Sequence, residues 1–346
     1  LGTGLWNAQS QIVFRRVSRA QLGPAGMDAA FFRERLRMAL KRRELAGATR
    51  PARRLVWSES DGLPGLVVDQ YGGVLVLQAL TLGMAQRQET VVEVLKEVLE
   101  PEVILGRNDA PVREHEGLPR EVETLHGTVP AAVALSLDGL DWELDLRGGH
   151  KTGFYLDQLD NYAALARIVR ARGVQRVLDV FCNQGGFALA AARAGARQVE
   201  AVDQSAEAIA RAKANAQRNG LEIAWSVDNA FDHLRRLEEA GRRYELVVLD
   251  PPSFARGKKQ VEAALRGYKE LHLRAIRLLE PGGYLGTFCC SHHVSGLDWR
   301  ELCGNVAADT GVSLLMVERL PQPPDHPVLV EVPETEYLQG YVLEKN

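Results

Sequence analysis

Residues 176–187 read Arg176-Val177-Leu178-Asp179-Val180-Phe181-Cys182-Asn183-Gln184-Gly185-Gly186-Phe187. The run 176–181 is short, apolar and β-branched, which suits a strand buried on both faces. It breaks at a glycine pair and passes into a helical pattern over 186–195. Downstream the rhythm repeats: strand 198–202, helix 206–218, strand 222–227, helix 231–240, strand 245–250, helix 260–279, strand 283–289, helix 297–310 and two late strands. A helix at about 157–171 leads in. Such alternation predicts an α/β fold, a Rossmann-like doubly wound parallel sheet with helices on both faces. In such sheets a ligand lies beyond the carboxyl ends of the strands, where the strand order switches.

Three strand ends in succession carry suitable chemistry. The glycines of the first loop let the backbone turn sharply and approach a ligand closely. The loop lacks the G-x-G-x-x-G spacing of dinucleotide enzymes and the lysine of a phosphate loop, so a pyrophosphate is not the implied ligand. The second strand ends at Asp203, eighteen residues after Gly185, where an ionised carboxylate can accept both ribose hydroxyls. The third ends in Asp228-Asn229-Ala230, where a carboxylate can accept from an adenine amino group. Each Asp taken alone could equally be a helix cap. Together they predict an adenosine pocket for S-adenosyl-L-methionine. Its candidate contacts are Asp179, Phe181, Asn183, Gly185, Gly186, Phe187, Asp203, Gln204, Ser205, Asp228, Asn229, Ala230, Asp250 and Pro251. The fourth strand ends in Asp250-Pro251-Pro252-Ser253-Phe254, a loop stiffened by two prolines and suited to positioning a substrate base. An aromatic directly after the prolines would suggest methylation of an exocyclic amine, but Ser253 intervenes.

The first half reads differently. A strand is expected over 11–18, too short to be a domain of its own. Asp28 caps a helix to about Leu45, with Phe31, Phe32, Leu36 and Leu40 along one stripe. Strands 64–70 and 73–79 join through a hairpin at Tyr71-Gly72-Gly73. A helix at about 85–99, a strand at 102–106 and a hairpin near 132–147, turning at Asp138-Gly139, complete a small α+β domain.

The net charge of −3 is unevenly spread: residues 1–60 hold twelve Lys+Arg against four Asp+Glu, a net +8, which leaves −11 on the rest. A basic end on an acidic body fits a polyanion such as nucleic acid, or else a solvated helix face. No stretch approaches the roughly 18 apolar residues of a membrane span, and no signal peptide is visible. The four cysteines, Cys182, Cys289, Cys290 and Cys303, are too few for a disulfide framework, so a cytoplasmic protein is expected. The histidines show no C-x-x-C or H-E-x-x-H spacing, so no metal is expected.

Several segments carry a family resemblance: Ser58-Glu59-Ser60-Asp61-Gly62-Leu63-Pro64-Gly65-Leu66, Gly149-His150-Lys151-Thr152-Gly153-Phe154-Tyr155-Leu156-Asp157-Gln158, the glycine loop, Asp250–Phe254, and Asp325-His326-Pro327. With these the chain resembles bacterial class I methyltransferases that make 5-methylcytosine in large-subunit (23S) ribosomal RNA. The likeness runs from about Gly2 to Tyr341. It implies residues 1–18 as the last strand of an RNA-binding PUA domain otherwise missing from this chain, 19–145 as the small α+β domain and 146–346 as the methyltransferase domain. It also implies a nucleophilic cysteine in Thr287-Phe288-Cys289-Cys290-Ser291. Cys290 matches the family's position, and the adjacent Cys289 leaves the assignment open by one residue. Asp250 is the second catalytic candidate and Lys151 a further cofactor contact. His292 and His293 are either a proton relay for the thiol or an exposed loop.

An RNA substrate must unstack its target base. Phe154, Tyr155, Pro252 and Phe254 are candidate base contacts, and Arg256 and Lys258 candidate phosphate contacts. Such phosphate binding would weaken steeply with salt. Membrane and metal partners are not implied, and a homodimer is left open. Three other readings stand beside this one. A guanine methyltransferase would share these segments without needing a cysteine. A non-catalytic RNA-binding assembly factor could use the same fold. A nicotinamide dehydrogenase is disfavoured by the missing G-x-G-x-x-G.

Overall fold

Every residue except Leu1, Pro24, Ala25, His150 and Arg256 is described in the computed structural model. The chain divides into two compact units. One comprises Leu1–Leu137, Trp142–Leu156 and Pro323–Thr335; the other comprises Asp138–Asp141, Asp157–Gln322 and Glu336–Asn346.

The first unit opens with an antiparallel ribbon of β1 (Thr3–Trp6) and β2 (Phe14–Ser18). The strand expected over 11–18 therefore starts at Phe14 and has a partner. That partner escapes a reading by propensity because it is four residues long and contains Gly4, over which the Phe14 ring lies. Helix α1 (Ala29–Leu45) begins where Asp28 Oδ1 accepts the Phe31 N–H at 2.9 Å. A five-stranded sheet follows, in the order β3-β4-β5-β6-β7. Its strands are β3 (Ala52–Trp57), β4 (Leu66–Tyr71), β5 (Val74–Ala79), β6 (Val103–Asn108) and β7 (Glu121–His126), with the short helix α2 (Leu82–Ala85) and α3 (Gln88–Leu99) between β5 and β6. Phe32 and Leu36 of α1 share a core with Val91, Val94 and Leu95 of α3 and with Leu55, Val68 and Leu77 of the sheet. Strand β3 is absent from the sequence expectation because Arg53-Arg54 interrupts its apolar run. Arg54 is buried there by a bidentate pair with Asp69, at 2.8 and 2.9 Å. Strands β8 (Val133–Leu137) and β9 (Leu140–Leu144) turn through Asp138 (φ 52°) and Gly139 (φ 79°), the two left-handed residues of a tight hairpin.

The segment Pro323–Thr335 lies in this first unit and not with the second half of the sequence. Asp325 holds it: its Oδ2 accepts the Arg54 N–H at 2.8 Å, and its carbonyl accepts from Arg43 at 2.9 Å.

The second unit runs α4 (Leu159–Arg172), β10 (Arg176–Val180), α5 (Gly186–Arg193), β11 (Gln198–Asp203), α6 (Ala206–Arg218), β12 (Ala224–Val227), α7 (Ala230–Glu239), β13 (Tyr244–Leu249), α8 (Val261–Leu278), β14 (Leu279–Cys289), α9 (Gly296–Thr310), β15 (Leu314–Arg319) and β16 (Gln339–Lys345). The sheet order is β12-β11-β10-β13-β14-β16-β15. Strands β10 to β14 pair in parallel, and β16 runs antiparallel to both β14 and β15. From β10 the chain steps outward to β12 and then crosses back to β13 on the other side of β10. The order thus reverses between β10 and β13, and a crevice opens at their carboxyl ends. Among the described residues no helix is long and apolar enough to cross a membrane.

Candidate active site

At the end of β10 the backbone takes three left-handed conformations in five residues: Phe181 (φ 66°), Asn183 (φ 47°) and Gly185 (φ 82°). For the two non-glycine residues this costs roughly 1–3 kcal/mol each, so neighbouring structure must hold them. Phe181 and Cys182 both donate to the Val202 carbonyl, at 2.9 and 3.1 Å, and Gly185 donates to the Cys182 carbonyl at 2.7 Å. Asn183 donates to Asp203 Oδ2 at 3.0 Å. A Cβ on Gly185 would stand 2.6 Å from the Trp225 ring, and one on Gly186 would collide with Tyr162. A side chain at either place would force the facing ring to move.

The neighbouring strand tips are tied to this loop. Asp228 donates its N–H to the Asp203 carbonyl at 3.0 Å, and Asp250 donates to the Val180 carbonyl at 3.4 Å. Gly185, Asp203, Asp228 and Asp250 thus stand on four neighbouring tips. Asp203 is half-buried; its Oδ1 accepts from Ser205 at 2.8 Å and its Oδ2 from Asn183. A carboxylate has about four acceptor positions, so room remains for ribose hydroxyls. Asp228 faces α7 instead: His233 Nδ1 lies 3.1 Å from its Oδ2, and Arg236 forms an ion pair with it. The helix cap here is Asn229, whose Oδ1 accepts from Phe231 at 2.9 Å. An open cavity of about 570 Å³ borders Asp228, but its charged walls, Arg236 with Asp228 and Arg242 with Glu200, are already mutually paired. Gln204 is exposed and Ser205 caps α6, while Phe187 is buried between Tyr162 and Phe288, so only its backbone faces the loop.

Asp179 is strongly perturbed. Its Oδ2 accepts the Ala188 N–H at 2.9 Å, and its Oδ1 is buried with no hydrogen-bond partner. Burial, reinforced by the charges of Asp250 and Asp203, pushes its carboxyl up to about 8. An orphaned buried acceptor beside a glycine loop fits a ligand that brings a positive centre and N–H donors, as S-adenosylmethionine does. The raised value also sets a pH dependence. The folded state keeps a proton that the unfolded chain releases near 4, so this group makes stability fall as pH rises from about 4 to about 8. Asp179→Asn, which stays neutral, is expected to flatten that slope. Its melting temperature should gain on the parent's as pH rises from about 4 to about 8 in paired thermal scans, and parallel curves would refute the assignment.

The Asp250–Phe254 loop is held from several sides. Gln158 Nε2 donates to Asp250 Oδ2 at 3.1 Å, and Asn161 in turn donates to Gln158 at 2.6 Å. Pro251 is buried and Pro252 exposed. Tyr268 of α8, which no motif singled out, stacks on Phe254 with ring centroids 4.4 Å apart. Its only sequence signal is an aromatic among the apolar positions of a helix.

The four thiols differ sharply. Burial raises Cys182 well above the usual thiol range, Cys289 to about 11 and Cys303 to about 12. Cys289 ends β14 inside the core, 1% exposed. Cys290 lies one residue beyond the strand, partly exposed, with Sγ 3.9 Å from the Pro251 carbonyl. His292 and His293 are both exposed, as the loop alternative requires.

The remaining candidates belong to the first unit or to an exposed turn. Lys151 (φ 53°) holds its Nζ 4.5 Å from the Tyr155 ring centroid. Thr152 anchors that segment: it donates to Asp69 at 2.6 Å and stands 2.9 Å from the Tyr71 hydroxyl. Phe154 is 3% exposed and packs edge-on against Trp142 at 4.8 Å. Its ring is therefore a core residue with no open face for a base, which corrects the expectation from sequence. Lys258 is exposed. His150 and Arg256 lie outside the described residues.

Comparison with known proteins agrees with this geometry. Residues 69–336 match the model of the S-adenosylmethionine-dependent methyltransferase family. The chain belongs to that family. Two relatives are named "Ribosomal RNA large subunit methyltransferase I". The one from Shewanella amazonensis is 40% identical, covering 99% of this chain and 87% of the relative. The one from Tolumonas auensis is 37% identical over the same shares, 99% and 87%. Among solved structures, SMU.776 complexed with S-adenosylhomocysteine superposes with a TM-score of 0.86 at 20% identity, covering 99% of this chain and 88% of that one. This last likeness is one of fold. The methyltransferase accordingly uses S-adenosylmethionine as its methyl donor.

Proposed function

We propose that this methyltransferase methylates carbon 5 of a cytosine in large-subunit ribosomal RNA through a covalent adduct on Cys290. The relatives' name supports the substrate class. The observation that carries the cysteine is exposure: Cys290 alone among the four thiols is neither buried nor turned into the core, and it lies against the Asp250–Phe254 loop.

S-adenosylmethionine supplies an electrophilic methyl group. Carbon 5 of cytosine is a weak nucleophile, and addition of the Cys290 thiolate to carbon 6 makes it electron-rich. After the methyl is accepted, loss of the carbon 5 proton to a base expels the thiolate and restores the ring. Asp250, braced by Gln158, offers a carboxylate that matches the exocyclic amino group of cytosine. Asp203, Asn183 and the glycines would hold the nucleoside of the donor, with Asp179 toward its positive centre. Roles for Lys151, Tyr155 and Lys258 rest on family resemblance. A ribosomal substrate implies a cytoplasmic site of action.

The test is transfer of labelled methyl to ribosomal RNA followed by nucleoside analysis. Labelled 5-methylcytidine is expected. Labelled methylguanosine would transfer the reading to a guanine enzyme, and no label with intact donor binding would make it an assembly factor.

A further inference from the structure

We propose that Tyr268 is a positioning residue that fixes the separation between the Asp250–Phe254 loop and the Cys290 sulfur. It rests on the reading above in which both face the target base. Pro251 and Pro252 have no N–H groups, so this loop cannot secure itself with the usual backbone bonds. The phenol of Tyr268 supplies what is missing: it donates to the Pro252 carbonyl at 3.2 Å and accepts the Phe254 N–H at 3.0 Å. One hydroxyl thus spans the turn on both sides of Ser253. The ring adds a near-parallel stack on Phe254, at 14°, and is braced edge-on by Trp299 at 5.1 Å.

The same helix also grips β14, the strand that leads to Cys290. One turn beyond Tyr268, His272 stands with Nδ1 2.6 Å from the Tyr268 carbonyl and Nε2 2.7 Å from the Thr287 hydroxyl. A carbonyl only accepts, so Nδ1 carries the hydrogen and Nε2 accepts from Thr287. Burial lowers this imidazole to about 4, which keeps it neutral and the tautomer fixed. Thr287 is three residues before Cys290 in the chain. One turn of α8 therefore holds the proline loop with the phenol and β14 with the imidazole. The Cys290 sulfur, three residues beyond Thr287, lies 3.9 Å from the carbonyl of Pro251 in the held loop.

Tyr268→Phe keeps the ring stack and removes only the hydroxyl. Two quantities test it. The first is kcat for methyl transfer to ribosomal RNA, expected to fall about 10- to 100-fold, the size of a small misplacement of reacting groups. The KM for S-adenosylmethionine should change by less than about twofold, since no donor contact is touched. A residue with a purely structural role would lower the melting temperature and leave this split unmoved. The second is the rate of Cys290 alkylation by iodoacetamide, read peptide by peptide by mass spectrometry in the protein without RNA. It is expected to rise at least about threefold as the loop loosens over the sulfur. Either quantity unchanged overturns the proposal. If the carbon 5 reading fails because the RNA is not methylated, the alkylation rate still decides on its own whether the phenol sets that separation.

Discussion

Cys290→Ala is expected to lower methyl transfer to ribosomal RNA by about 10³-fold or more, while S-adenosylmethionine binds within about twofold of the parent. The size follows from the proposed covalent route: without addition of the thiolate at carbon 6, carbon 5 of the base stays a weak nucleophile. The neighbouring Cys289 offers no substitute, because its thiol is buried and held protonated up to about 11. Cys289→Ala should therefore retain activity to within a few-fold and lose only the packing of one small side chain, roughly 1 kcal/mol. Single-turnover assays with both variants, alongside isothermal titration of the donor, make the comparison. Full activity in Cys290→Ala would exclude the covalent route, and a collapse in Cys289→Ala alone would move the nucleophile by one residue.

Asp61→Ala should destabilise the protein by about 3–5 kcal/mol, the usual penalty for leaving a buried charge without its counterion. The Asp61 side chain is inaccessible to solvent and lies 2.7 Å from Arg43, itself 1% exposed. It also accepts the Trp57 N–H at 2.7 Å and pairs with Arg42 at the edge of the cluster. Removing it leaves the Arg43 guanidinium bonded to neutral carbonyls, those of Arg54, Asp325 and Ala39 at 3.1, 2.9 and 3.4 Å. Because Arg43 joins α1, β3 and the late segment at Asp325, the loss should unsettle all three together. Urea unfolding followed by tryptophan fluorescence reads the effect, Trp57 lying at the cluster. A loss below about 1 kcal/mol would mean that water or a shifted side chain replaces the carboxylate.

Much of the site was legible because its parts are local. Gly185 sits at φ 82°, against an indole that leaves no room for a Cβ, and such a constraint shows in one dimension as a glycine at a strand end. Asp203 and Asp250 likewise announce themselves by following short apolar runs. Phe154 shows the limit of that reasoning. An aromatic beside Lys151-Thr152-Gly153 looks like a base platform, yet whether a ring is open depends on what packs against it, here Trp142. Tyr268 shows the converse: its hydroxyl bonds a loop fourteen residues upstream in the chain, and nothing in its own neighbourhood marks it.

By itself the sequence determined the alternation of β10 to β14 with their helices, the glycine loop and the row of acidic strand ends, because hydrophobic period and backbone freedom act over a few residues. Only the tertiary structure decided that Arg53-Arg54 belongs to a strand, that Asp325 returns to the first unit, that Asp228 turns toward Arg236, and which of two adjacent cysteines is open. Those outcomes depend on partners distant in sequence: a buried charge is tolerated where its counterion waits, and a thiol is reactive only where the fold leaves it partly in water.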